Sequence, residues 1–241
     1  MSLKKELLGS LPSQLLYKSS KAGVHVLQLM DLLGLEISTQ DLRMLPQEVC
    51  ESSEMHEVSL KYLLWCATEY ADFPGELEKR ILSLAGVGSV TFEEVHSSEE
   101  MSRAIEKNLL SFVKEHDDDP AEIDRKLYQY SLAGLASGKE FKKNPKVKEI
   151  LKKFCLEFIM KHQDRPEILG KKVAEYERFG FLQRVELRED EKIQRQLEKY
   201  LKQYMKDNSG HERKISMRVN EYYKLGLISD QMKEEFLKGL R

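Results

Sequence analysis

Gly88, Gly134, Gly180 and Gly226 stand 46 residues apart, and the residues before them align as well. Arg80-Ile81-Leu82-Ser83-Leu84 precedes Gly88, and Lys126-Leu127-Tyr128-Gln129-Tyr130 precedes Gly134. Lys172-Val173-Ala174-Glu175-Tyr176 precedes Gly180, and Arg218-Val219-Asn220-Glu221-Tyr222 precedes Gly226. A fixed period of a few tens of residues marks an array in which no unit buries its apolar face alone and each must stack on its neighbours. Any fold proposed for this chain has to repeat.

The register extends to apolar positions. Met55, Met101, Val147 and Ile193 share one column, and Leu63, Leu109, Cys155 and Leu201 share another. Within one copy Met101, Ile105, Leu109, Phe112 and Val113 form the stripe of an amphipathic helix, helix A, about 17–20 residues long. Pro74, Pro120 and Pro166 fall in a column suited to the first turn of a second helix, helix B, where a missing N–H costs nothing. Helix B carries Leu77, Ile123, Leu169 and Ile215, with Ile81, Leu127, Val173 and Val219 four residues on. The column glycine then ends the helix in the left-handed conformation. About ten residues connect to the next helix A, where Ser97-Ser98-Glu99-Glu100 reads as a capping box.

These features predict an all-α solenoid of helix-pair repeats forming one elongated domain over 1–241. Its expected parts are a divergent N-terminal hairpin or cap over 1–50, repeats over 51–96, 97–142, 143–188 and 189–226, and a C-terminal cap helix over 227–241. Atypical ends are expected, because a terminal repeat must shield one apolar face from water. In repeat length, paired helices and apolar columns the chain resembles HEAT and armadillo repeats. That resemblance implies a curved stack that serves as a binding scaffold.

With 41% hydrophobic and 33% charged residues, the 241-residue chain has material for a core under a heavily charged surface. No stretch approaches the 18 or more apolar residues of a membrane span, and Met1 to Glu6 does not open a signal-peptide core. Cys50, Cys66 and Cys155, odd in number and without a Cys-x-x-Cys pair, fit a reducing compartment, and a cytoplasmic location is expected. Residues 1–120 carry 11 Lys and Arg against 21 Asp and Glu, net −10, and residues 121–241 carry 28 against 20, net +8. Such a division marks either a basic binding half or two halves that attract one another, so the oligomeric state stays open.

Two columns are basic in every copy: Lys61, Lys107, Lys153 and Lys199 on helix A, and Arg80, Lys126, Lys172 and Arg218 on helix B. Stacked at helix spacing they would form positive ladders able to follow a nucleic-acid backbone or an acidic peptide. Alternatively they pair with neighbouring acids, as the spacing of Lys172 to Glu175 and Arg218 to Glu221 allows. Trp65 stands where the other copies have Ser111, Glu157 and Gln203, so it is either covered by the N-terminal cap or exposed as a contact. Tyr62, Phe154 and Tyr200 share a column that suits packing between helices better than base stacking. Met160 shares a column with Lys114 and Lys206 and is a candidate apolar contact.

No phosphate loop, dinucleotide fingerprint or H-E-x-x-H is present, and no nucleophile, base and orienting group converge. Asp117-Asp118-Asp119 lacks the glycine and glutamate of a calcium loop. No catalytic residue, metal or cofactor is assigned. The expected role is a non-enzymatic scaffold for a macromolecular partner, in the first place a protein; the alternative is a nucleic-acid binder using the basic ladders.

Overall fold

The computed structural model describes residues 3, 6–11, 20–35 and 37–240, and the side chains of these other than 20–22 and 32. Among the described residues every regular element is a helix and none is a strand. The predicted N-terminal cap over 1–50 therefore lies partly outside the described residues. The rest of it supplies α1 (Ser20–Leu32), α2 (Thr39–Leu42) and α3 (Gln47–Cys50).

Four long helices follow the helix A pattern: α4 (Ser53–Glu69), α7 (Glu99–Glu115), α10 (Pro145–His162) and α13 (Glu191–Asp207). Four shorter ones follow the helix B pattern: α5 (Pro74–Ala85), α8 (Pro120–Leu132), α11 (Pro166–Arg178) and α14 (Glu212–Lys224). Pro74 and Pro166 sit in the first turns of their helices, where no intrahelical N–H bond is lost. The apolar columns point inward: Met55, Met101, Val147 and Ile193 are buried, as are Leu77, Ile123, Leu169 and Ile215. Each such side chain removed from water contributes roughly 1.5–3 kcal/mol.

The connectors hold structure of their own. Within the connectors of about ten residues each holds a short helix that the pattern did not show: α6 (Phe92–Ser97), α9 (Gly138–Lys142) and α12 (Arg184–Arg188). Each turns one apolar side chain into the core, Val95, Phe141 and Leu187. One turn of helix is too short to show a period in sequence, so the helix-pair pattern concealed a third element. Helix α6 also displaces the predicted capping box. Ser97 belongs to α6, α7 begins at Glu99, and a single cap remains, Ser98 Oγ accepting the Met101 N–H at 3.3 Å. The reciprocal box lies instead at the start of α6, between Thr91 and Glu94.

Residues 1–111 and 126–138 form one compact unit, and residues 112–125 and 139–241 form the other. In the first, α1 packs along α4, α4 against α5, and α5 against α2 and α6. Leu27 and Met30 of α1 are fully buried. In the second, α10 packs on α11 and α13, α13 on α12 and α14, and α14 on α15 (Asp230–Lys238).

The column glycines end their helices with one geometry. Gly180 has φ +74°, its N–H donates to Glu177 O at 3.0 Å, and the next N–H, of Phe181, reaches back to Tyr176 O at 3.0 Å. This Schellman turn satisfies two carbonyls that the helix end would otherwise leave open. The same pair of bonds closes the helices before Gly88, Gly134 and Gly226, and also before Gly34, which stands outside the regular spacing.

Open space surrounds the position where a Cβ would stand on Gly180, so substitution there tests the backbone alone. Gly180→Ala is expected to cost about 1–2 kcal/mol in chemical denaturation, and Gly180→Asn less, because Asn tolerates the left-handed region.

Candidate functional site

The two basic columns take up different places. On helix B the charges fold back onto the turn that ends an earlier long helix. Lys126 Nζ donates to Asp72 Oδ1 at 2.9 Å, Lys172 Nζ to Asp118 O at 3.0 Å and Arg218 Nη1 to Asp164 O at 2.9 Å, each across 54 residues. One helical turn further on stands a tyrosine. Tyr130 Oη donates to Ala71 O at 2.7 Å, and the hydroxyls of Tyr176 and Tyr222 donate to Asp117 O and Gln163 O, each across 59 residues. The acceptors lie just past the ends of long helices, where carbonyls lack intrahelical donors and the dipole favours a cation. Burial pushes the Tyr130 hydroxyl up to about 12 and raises those of Tyr176 and Tyr222, which keeps all three protonated as donors.

Arg80 makes the same reach with another partner. Its Nη2 and Nε bond Asp31 Oδ1 at 2.7 Å and Oδ2 at 3.1 Å, while Nη1 meets Glu76 at 2.8 Å. Tyr62 Oη donates to the same Asp31 carboxylate at 2.6 Å. Burial opposes the Arg80 charge, but bonds from Asp31 and Glu76 outweigh it and raise its pKa. Arg80 and Lys126 are buried, at 9% and 5% exposure, so neither presents its charge to an external partner. Lys172 and Arg218 are half-buried and turned to the same task.

The helix A column faces water. Lys61, Lys107, Lys153 and Lys199 are all exposed. Lys61 pairs with Glu57 and Lys153 with Glu157 at 4.0 Å, both one turn away along the same helix. Such exposed pairs contribute about 0.3–0.5 kcal/mol and are screened by salt. Trp65 is half-buried, stacked on Tyr62 at 5.9 Å and edge-on to Tyr70 at 6.4 Å between ring centres. Met160 is 52% exposed. The aromatic column packs inward: Phe154 lies against Tyr176 at 6.1 Å and Tyr200 against Tyr222 at 5.8 Å.

The three cysteines are buried thiols. Burial pushes Cys155 up to about 12 and raises Cys66 and Cys50, so none is a thiolate at neutral pH. Among the described residues no three His, Cys, Asp or Glu side chains are placed to hold a metal ion. No helix of the described residues is long and apolar enough to cross a membrane.

Two features escape the column pattern because they join side chains from separate elements. In the first unit Phe73, Pro74 and Leu132 line an open groove of about 430 Å³, with Asp72, Glu76 and Glu78 around it. Phe73 and Leu132 are 65% and 66% exposed, and Tyr128, one turn before Leu132, is 63% exposed. In the second unit a cavity of about 460 Å³ lies among the lysines of α10 and the start of α13.

Removing one member of the buried pair leaves the other charge uncompensated. Asp31→Ala and Arg80→Ala are each expected to cost about 3–5 kcal/mol, with the double variant well short of their sum. Tyr176→Phe tests a hydroxyl tie and should cost about 1 kcal/mol in urea unfolding. A further tie gives a pH dependence. Burial works against the Glu186 carboxylate, but bonds from Lys148 and the Gln183 N–H outweigh it and hold its pKa below the usual 4.5. Glu186 therefore stabilises the fold above its unfolded value, and that contribution disappears as pH falls through its folded value. The difference in urea midpoint between wild type and Glu186→Gln should hold from pH 7 to about pH 5 and shrink below that as pH falls toward 3.

Compared with known proteins, the chain matches no family model, no curated protein and no solved structure.

Proposed function

We propose that the chain is a cytoplasmic α-solenoid of 46-residue repeats, similar to HEAT and armadillo arrays, that acts as a non-enzymatic scaffold for a protein partner. The repeat reading is supported by helix starts at Ser53, Glu99, Pro145 and Glu191, and at Pro74, Pro120, Pro166 and Glu212, each set in steps of 46 residues. It is further supported by ties that recur at constant separations of 54 and 59 residues. Constant separation is what an array requires when every unit is fastened to the one before it.

The partner reading is carried by the groove of Phe73, Pro74 and Leu132 with Tyr128 beside it. Large apolar side chains gathered in one exposed place, with an aromatic ring among them and a polar border, have the make-up of an interface centre. The nucleic-acid alternative loses half of its basis, since the helix B charges are engaged by the fold. It retains the exposed lysines of helix A.

Both readings meet in one pair of measurements on the full chain. Proximity labelling in cells should recover a defined protein set for wild type that is lost for Phe73→Ser/Leu132→Ser, with no change in melting temperature. An unchanged set would remove the groove from the function. Anisotropy with labelled single- and double-stranded oligonucleotides should give no binding near physiological salt. Binding that weakens steeply with salt, and falls in Lys107→Glu/Lys153→Glu, would favour the alternative.

A further inference from the structure

We propose that the groove of Phe73, Pro74 and Leu132 takes one leucine-sized aliphatic side chain from its protein partner, beside Ala133 and Glu78. This deepens the scaffold reading and rests on it. A comparison inside the chain carries it. The groove joins α5 and α8 in the first unit, and two steps of 46 residues further on α11 and α14 are their counterparts in the second. There Leu225 stands in the column of Ala133, and Gly170 in the column of Glu78. A Cβ added at Gly170 would run into Leu225 Cδ2, so the leucine lies directly against the bare backbone of α11. The second unit thus fills this place with its own side chain. The first unit has a buried alanine there, at the wall of an open groove of about 430 Å³.

The border changes in the same sense. Phe73 stands in the column of Arg165, Leu132 in that of Lys224 and Tyr128 in that of Asn220. Beside the filled place the exposed residues are charged, Arg165 and Lys224. Around the open one they are Phe73 and Leu132, with Tyr128 one turn away, all exposed. Large apolar side chains therefore sit in water where the counterpart helices carry polar ones, next to the position that lacks an internal leucine. Apolar area gathered in this way favours a partner that covers it.

The chemistry of the occupant follows from that vacancy and from the state of the nearby charges. Asp72 is paired with Lys126, and Glu76 with Lys79 and Arg80, so these groups are neutralised within the unit. Among the described residues Glu78 has no ionic partner, and a single carboxylate gives no basis for holding a highly charged ligand. Recognition is left to shape and to burial of apolar area. Glu78 stands where the counterpart has only a glycine hydrogen, which narrows the place on the α5 side and favours a slim aliphatic chain over an aromatic ring. A nucleic acid offers no such side chain.

The test selects binders from a phage-displayed library of random peptides on the immobilised full chain and measures them by fluorescence anisotropy. The expected peptides share Leu, Ile or Met at one position without charged neighbours, and their affinity changes less than about twofold between low and physiological salt. Changing that residue to Ala should weaken binding by about tenfold to a hundredfold, the effect of one buried aliphatic side chain. Glu78→Gly/Ala133→Leu rebuilds the Gly170 and Leu225 arrangement inside the groove. It should weaken binding by about tenfold or more and melt within about 5 °C of wild type. Phe73→Ser/Leu132→Ser should weaken binding as well. If that variant loses the peptides while Glu78→Gly/Ala133→Leu keeps them, the aliphatic anchor is wrong and the groove stands. If both keep them, the groove reading fails too. Should Glu78→Gly/Ala133→Leu melt early, the substitution in the peptide, measured on wild type, decides. No selected peptide, a charged consensus, a steep salt dependence or no loss on the peptide substitution would each overturn the proposal.

Discussion

A helix that ends inside a protein leaves carbonyls without donors, and the arrangement of this chain turns on how they are supplied. Two donors one helical turn apart, a lysine or arginine and then a tyrosine, reach from a later helix to the turn that closes a long one. Lys126 with Tyr130, Lys172 with Tyr176 and Arg218 with Tyr222 do this in turn. Each net bond contributes only about 1 kcal/mol, and for the part-buried tyrosine bonds an acceptor left dry and unpaired would cost more. The ties therefore set which packing of the helices is permitted more than they add to its strength.

The exception clarifies the rule. Arg80, on the first helix of the B pattern, meets Asp31 on α1, and Tyr62 and Cys66 of α4 contact the same carboxylate. As with Lys126 and Asp72, a charged pair takes the place of the bond to a main-chain carbonyl, here with side chains only 10% and 2% exposed. Burying both charges is expensive, and it succeeds because each oxygen of Asp31 has a donor. Helix α1 is held by this charge-assisted cluster and by the burial of Leu27 and Met30.

Charge on the surface and charge in the fold are different quantities here. Two columns of equal regularity in sequence diverge in space. One faces solvent, with Lys61 and Lys153 paired to an acid one turn away, and the other is drawn in to close helix ends. The net charge of residues 121–241 overstates what faces solvent, since Lys172 and Arg218 are turned onto the preceding turn.

Periodicity in the amino-acid sequence by itself determined the all-helical class, the long helices, the buried columns and the glycine stops. These depend on local rules, the 3.6-residue repeat and the left-handed allowance of glycine, which act over a few residues. The tyrosines at 130, 176 and 222 were equally visible as a column, although their acceptors 59 residues away were not. Only the tertiary structure decided that the helix B cations are internal, that the connectors coil into short helices, and that Asp31 stands opposite Arg80. It alone brought Phe73 beside Leu132, and Lys192 beside Lys152. Contacts between separate elements depend on how helices pack, and one sequence carries no local signal of that.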